Sequence, residues 1–330
     1  MSRWIATAYK LPDRCKAHIF LGFSAPRRES AAMKTSLDHL PERKQQELGE
    51  IRRILFEEFE DTIRGRNAPH RKAGRILKIV LFGSYARGDW VVDPVGGYFS
   101  DYDVLVVVNH EELADPLEYW TKAEDHLLRA HTISKKLSAP ANIITHSLTD
   151  VNKQLKKGRP FFKDILRDGI ALYEAPDHPF EKPTTLPEDE ARAEAQYHFE
   201  KCFPSAEDFQ TLAGYAMGGG MNNKAAFLYH QAAEQLYNCF QLVATLYAPK
   251  SHKLNLLRSR CEQLDSRLTA AWPRDTKFAR RCFELLRVAY VDARYSDHFK
   301  INVDELNWIS ERIDHLKQLV NEICHERFES

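Results

Sequence analysis

From Pro41 the chain alternates with a helical period. Leu48, Ile51, Ile54, Leu55 and Phe59 fall on one face, with charged residues on the other, so an amphipathic helix is expected there. The polar, basic stretch from Arg64 to Arg75 reads as a loop. The pattern then changes. "ILKIVLF" (76–82) and "DVLVVV" (103–108) are short apolar runs rich in β-branched residues, with the length of buried strands. "ANIITHS" (141–147) is a third. Residues 111–137 read as a helix, and so does "VNKQLKKGRPFFKDILRDGIALYE" (151–174), with Pro160 kinking or dividing it. This alternation predicts an α/β unit that ends near Glu174.

The segment "APDHPFEKPTTLPEDE" carries four prolines and reads as a linker. Strand patterns fade beyond it. Helices are expected over 188–217 (with a restart at Pro204), over a long segment from Asn222, and over 252–268, 275–293 and 303–328, with a break at Gly218–Gly220. The predicted organisation is a small mixed sheet with helices over 33–174, a linker over 175–187, and an all-α bundle over 188–330. Residues 1–32 have no sustained period. Arg3, Lys10, Arg14, Lys16, Arg27 and Arg28 stand against Asp13 and Glu29, and there is no apolar core of a signal peptide. A dispensable, disordered extension is expected.

Composition excludes little and points nowhere by itself. Lys plus Arg and Asp plus Glu both total 47, so no bulk charge favours nucleic acid or a membrane surface. The six cysteines form no C-x-x-C pair, which suits reduced thiols and a cytoplasmic location. No apolar run approaches the roughly 20 residues that span a bilayer.

Candidate chemistry lies where the first strand ends and the second begins. Gly83 follows Phe82 and is followed by Ser84; glycine permits a sharp turn that a phosphate can approach closely. If a helix starts at Ser84, its free amides suit an anion, and Arg87 adds a cation. Gly83 and Gly88 have the spacing of a Walker A loop, but Asp89 and Trp90 stand where Lys and Ser/Thr are required. Asp101 and Asp103, at i and i+2, project from one face of a strand. Two carboxylates that close repel unless a cation neutralises them, and Mg²⁺ takes carboxylates together with phosphate oxygens. The constellation therefore reads as a metal platform that presents a nucleoside triphosphate, with in-line displacement at phosphorus as its chemistry. The competing reading is a pair of acids that merely start a strand in solvent.

"GSYARG" followed by "SDYD" resembles the minimal nucleotidyltransferase family of the polymerase-beta-like superfamily, over about residues 76–174. The resemblance implies transfer of a nucleoside monophosphate from an NTP to a hydroxyl with Mg²⁺ as cofactor. It implies phosphate contacts at Gly83 and Ser84, with metal binding and catalysis at Asp101 and Asp103. It also implies a third carboxylate on the next strand, where this chain has Asn142, an amide that can ligate but cannot act as a base. His146 on the same strand is a substitute base or a structural histidine. The insert "DWVVDPVGGYF" (89–99) reads as an aromatic flap near the site or a plain surface loop. The acceptor is not readable: protein, RNA and an antibiotic-like small molecule are all open.

"HQAAE", "PKSHKL" and "ARYSD" resemble the HEPN family over about residues 190–328. Ribonucleases of that family carry Arg and His with four to six residues between them. Here Arg294 and His298 enclose only three residues, which favours a dimerisation, nucleotide-binding or acceptor-binding role over cleavage. A ribonuclease toxin module held in check by the fused transferase, and a non-catalytic nucleotide binder, are the alternatives. His230 and His252 are candidates for a polar pocket or dimer groove, or for core and helix-start positions. A homodimer through the helical half is expected.

Overall fold

A computed structural model describes residues 33–65, 68–93 and 98–329; the expected extension over 1–32 lies outside the described residues. From Met33 the chain forms one compact unit. Its sheet strands are β1 (Ile76–Phe82), β2 (Val92–Asp93), β3 (Tyr98–Phe99), β4 (Tyr102–Val108), β5 (Ala141–Ser147) and β6 (Ile170–Glu174). Four of them make a mixed sheet in the order β5-β4-β1-β6. β1 runs antiparallel to β4 and β6, and β4 runs parallel to β5. The helices of this part are α1 (Glu42–Ile63), α2 (Pro69–Lys72), α3 (Ser84–Arg87), α4 (Thr121–Thr132), α5 (Leu148–Lys156) and α6 (Pro160–Asp168). Only helices follow: α7 (Glu188–Gly218), α8 (Asn222–Thr245), α9 (Leu254–Leu264), α10 (Lys277–Tyr295) and α11 (Val303–Glu329). No helix among the described residues is long and apolar enough to cross a membrane.

Both faces of the sheet are covered, which is why β1 and β4 read as near-continuous apolar runs, interrupted by Lys78 and Asp103. Ile79, Leu81, Val104 and Val106 join a core with Leu48, Ile51, Leu55 and Phe59 of α1 and Leu127 of α4. Val80, Phe82, Leu105 and Val107 face the other way, onto Val151, Leu155, Phe161, Phe162 and Ile165 of α5 and α6. The helical region has its own core, which contains Ala226, Leu236 and Phe240 of α8.

The two regions meet over the second face of the sheet. Tyr247, just past α8, stacks on Phe161 with ring centroids 4.2 Å apart and planes 3° from parallel. Its hydroxyl lies 2.8 Å from Nε2 of His146, whose Nδ1 is 2.7 Å from Asp150. Asp150 thus favours a proton on Nδ1, leaving Nε2 to accept from the Tyr247 hydroxyl.

Several elements differ from the pattern-based expectation. Residues 170–174 form β6, an edge strand on β1, because Gly169 ends α6. The helix expected over 111–137 is broken into a 3-10 turn at Glu111–Ala114, a π turn at Pro116–Trp120, and α4. Pro116 forbids a continuous ladder, and the Asp115 carboxylate accepts from the amides of Leu117 and Glu118 to start afresh. Conversely, Pro204 sits inside an unbroken α7. The basic loop before β1 contains the single turn α2.

One buried charge ties α1 to the sheet. The Glu47 carboxylate, 3% exposed, accepts from the Tyr102 hydroxyl at 2.8 Å and from the Ser138 amide and hydroxyl at 2.9 and 2.8 Å. Arg43 donates to it at 3.0 Å. Burial pushes its pKa up, but the Ser138 and Tyr102 hydrogen bonds and the Lys44 charge outweigh that and hold it below the ordinary glutamate value. A carboxylate so lowered stabilises the fold above its unfolded pKa of about 4.3, and the contribution is lost as pH falls through the folded value. Glu47→Gln is expected to cost about 1–3 kcal/mol at pH 7, measured by urea unfolding. It should flatten the loss of stability that the wild type shows below pH 5.

Candidate active site

β1 leaves the sheet at Gly83, whose φ of +74° favours glycine over any residue with a Cβ. A second constraint acts at the same residue. A Cβ built there would lie 2.6 Å from Oδ2 of Asp103, so the turn and the acid are packed as one unit. Ser84 then opens α3, a single turn that closes at Gly88. Its hydroxyl is buried and has no partner.

Asp101 stands immediately before β4, and Asp103 lies within it, opposite Phe82 on β1 and beside Asn142 on β5. Asp103 is 1% exposed. Each acid has one oxygen held by a side-chain amide. Asn142 Nδ2 donates to Asp101 Oδ2 at 2.9 Å, and Gln263 Nε2 donates to Asp103 Oδ2 at 3.1 Å. The other Asp103 oxygen, Oδ1, is buried without a partner. Burial, then the Asp103 charge, push the Asp101 pKa up to about 7, against the pull of Ser259 and Asn142. Burial also raises Asp103, opposed by the charge of Arg260, the Gln263 hydrogen bond and the charge of Arg87.

The structure therefore brings Gly83, Asp101, Asp103 and Asn142 together. Arg87 lies at the end of α3, partly exposed and 3.1 Å from Asp89, with its charge felt at Asp103. Asn142 orients Asp101 through its amide. His146 has both ring nitrogens engaged at the junction with Tyr247. In the insert, Trp90 stacks on Tyr85 at 5.6 Å, and Tyr85 on Tyr102 at 4.3 Å. The Trp90 ring thus packs inward. The tip of the expected flap, residues 94–97, lies outside the described residues.

Pattern reading missed the residues that α9 brings in. Gln263 bonds Asp103 across 160 positions of sequence. Ser259 and Glu262 act on Asp101, and Arg260 on Asp103. Glu262 is itself claimed by Arg258 at 2.7 Å and Arg274 at 2.9 Å. Nothing in "LNLLRSRCEQL" resembles a motif; only the unusual run of polar residues in a helix that must be covered hints at it.

In the helical region, Arg294 donates to the Tyr290 carbonyl at 2.6 Å and its guanidinium packs over Phe227 and Tyr290. His298 is exposed in the loop past α10. Among the described interactions none joins the two. His230 is fully buried with Nδ1 2.9 Å from the Leu286 carbonyl, and burial lowers its pKa to about 4. It is a core residue. His252 is half exposed, 3.0 Å from Glu234, and stacks on Tyr290 at 4.3 Å.

Among the described residues no three His, Cys, Asp or Glu side chains are grouped to hold a metal. Two carboxylates still fit Mg²⁺, which takes one or two protein carboxylates and fills its octahedron with substrate phosphates and water. The partnerless Asp103 Oδ1 is the donor such an ion would use.

The raised Asp101 pKa has a sign that can be tested. The folded state holds this proton more tightly than the unfolded chain, so Asp101 makes the protein less stable as pH rises from about 4 to about 7. Asp101→Asn is expected to raise the melting temperature at pH 7.5 in the absence of divalent cations, by an amount worth about 1 kcal/mol or more. It should change little at pH 4. Thermal scans at the two pH values check this.

Comparison with known proteins agrees with this geometry. Residues 65–169 match the family model of the nucleotidyltransferase domain, and residues 199–325 match that of the HEPN domain. A protein of Methanocaldococcus jannaschii that carries the name protein adenylyltransferase is 32% identical over 100 residues, which are 30% of this chain and 81% of that protein. The chain belongs to the nucleotidyltransferase family, with a mixed-sheet nucleotidyltransferase domain followed by a helical HEPN region.

Proposed function

We propose that this chain is a Mg²⁺-dependent nucleotidyltransferase that moves an adenylyl group from ATP to a hydroxyl on a protein. The observation that carries the reading is the pair of half-buried Asp101 and buried Asp103 behind the Gly83-Ser84 turn, with one Asp103 oxygen left without a partner. The adenylyl group and the protein acceptor rest on the name of the M. jannaschii relative.

In this reading Asp101 and Asp103 hold the cation, each with one oxygen steadied by a side-chain amide. When bound, Mg²⁺ would neutralise charge on the triphosphate and favour its departure as pyrophosphate. Gly83 lets the phosphates approach the backbone, Ser84 offers its hydroxyl, and Arg87 adds positive charge. The acceptor oxygen attacks the α-phosphorus, its proton passes to water, the bond from that phosphorus to the bridging oxygen breaks, and pyrophosphate leaves with the electron pair. Neither Asn142, an amide, nor His146, with both nitrogens engaged, is assigned to take the acceptor proton.

The test is label transfer. Purified protein is incubated with α-labelled ATP, Mg²⁺ and cell lysate, and then with each other labelled triphosphate. A protein band labelled from ATP is expected. Asp101→Ala with Asp103→Ala should abolish both the label and Mg²⁺-dependent triphosphate binding while the fold, followed by circular dichroism, persists. Binding by the folded double variant equal to wild type would sink the metal-platform reading.

The position of Arg294, turned onto Tyr290 and Phe227 with no described interaction with His298, counts against an RNA-cleaving centre, which needs a base and a cation converging on one phosphate. The full chain in excess chelator is expected to leave labelled RNA intact. Cleavage that Arg294→Ala and His298→Ala each abolish would put the ribonuclease reading first.

A further inference from the structure

α9 is an odd helix to bury. Arg258, Ser259, Arg260 and Glu262 are each 5–8% exposed, and burying charge is costly unless it is paired. Half of this polarity is explained within the helical region. Arg258 and Glu262 pair with each other, Arg274 closes on Glu262, and Arg258 also donates to the Trp272 carbonyl at 2.8 Å.

Arg260 and Ser259 are not explained that way. Arg260 donates through Nε to Gln241 at 2.9 Å, and its guanidinium lies 4.6 Å from the ring centre of Phe161, 5.6 Å from Tyr247 and 5.8 Å from Phe82. Aromatic faces thus strip water from the cation, yet Nη1 has no partner. The Ser259 hydroxyl influences Asp101 but has no partner in hydrogen-bond geometry.

These two atoms belong to a group of four. Ser84 Oγ, Asp103 Oδ1, Ser259 Oγ and Arg260 Nη1 are all buried and unpartnered. Ser84 follows the Gly83 turn that packs against Asp103 and Gln263, and Ser259 and Arg260 of α9 act on Asp101 and Asp103, so all four belong to the junction of that turn, β4 and α9. Folded proteins rarely leave buried polar atoms unmatched, so four at one junction imply a ligand. A bare anion would be repelled by Asp101 and Asp103. A bare cation would leave Arg260 and the two hydroxyls unmatched. A metal-bound polyphosphate satisfies all four, with the cation on the carboxylate and phosphate oxygens on the hydroxyls and the guanidinium.

We propose that α9 of the helical region forms a wall of the nucleotide site, with Arg260 and Ser259 binding the phosphate chain of the triphosphate. This rests on the nucleotidyltransferase reading above and extends it: the phosphate chain is held from two sides, by the sheet and by the helical region. Gln263 is a positioning residue, holding one Asp103 oxygen so that the other faces the cation.

The experiment measures binding to the full chain with Mg²⁺ present, by displacement of a fluorescent adenine nucleotide. The competitors are a non-hydrolysable ATP analogue and AMP. Arg260→Gln is expected to weaken the ATP analogue tenfold or more, as for a lost charge-assisted hydrogen bond, and AMP less than threefold. Arg260→Lys should recover part of the loss, because it restores charge without the fork. Ser259→Ala, which removes a single buried atom, should weaken the analogue severalfold and keeps the test alive if Arg260→Gln does not fold. Unchanged analogue affinity in a folded Arg260→Gln variant, or in Ser259→Ala if that is the variant that folds, would overturn the inference and leave the parent reading standing. So would equal losses for the analogue and AMP, because they would mark a merely structural role. Wild-type protein that binds no triphosphate with Mg²⁺ would instead overturn the nucleotidyltransferase reading, and this inference with it.

Discussion

A carboxylate sealed against a glycine sets the terms for this molecule. Asp103 is buried at the register point where β4 faces the last residue of β1, with Gly83 so close that a Cβ would collide with it. A buried acid in an apolar sheet must be neutralised, hydrogen-bonded or given a cation. The surroundings supply an amide from Gln263 on α9 and positive charge from Arg260 and Arg87. The Gly83 turn and the polar residues of α9 are both fitted to that one requirement.

The same requirement explains why the helical region is held tightly. Tyr247 stacks on Phe161 and bonds His146, and Arg260 lies across the same rings. These contacts form the second face of the sheet beside the acids. The HEPN region therefore bears directly on the carboxylates of the nucleotidyltransferase domain through α9. A chain cut at the linker would lose Gln263 and expose Phe161 and Phe162.

Much of the nucleotidyltransferase half was legible because its signals are local. β1, β4 and β5 are short apolar runs, and the acids sit at i and i+2 with a Gly-Ser turn just upstream. The α/β-then-α order was legible for the same reason. The α9 contribution was not. "RSRCEQ" has the composition of a solvated helix face, and only the tertiary arrangement shows it is covered. β6 is hidden because Ile170–Glu174 carries on the apolar pattern of α6 across Gly169, and the breaks at 111–120 are hidden because the apolar spacing stays helical across Pro116. Asn142 reads in sequence as a missing carboxylate, whereas the hydrogen bond that its amide donates to Asp101 is a contact that residue type alone does not reveal.

The most direct measurement is a crystal structure of the full chain with Mg²⁺ and a non-hydrolysable ATP analogue. The expected result is an ion bonded to Asp101 and Asp103, with phosphate oxygens on Ser84 and on Arg260 of α9. A nucleotide bound elsewhere, or one seated on the Gly83 turn with the two aspartates free of metal, would contradict it.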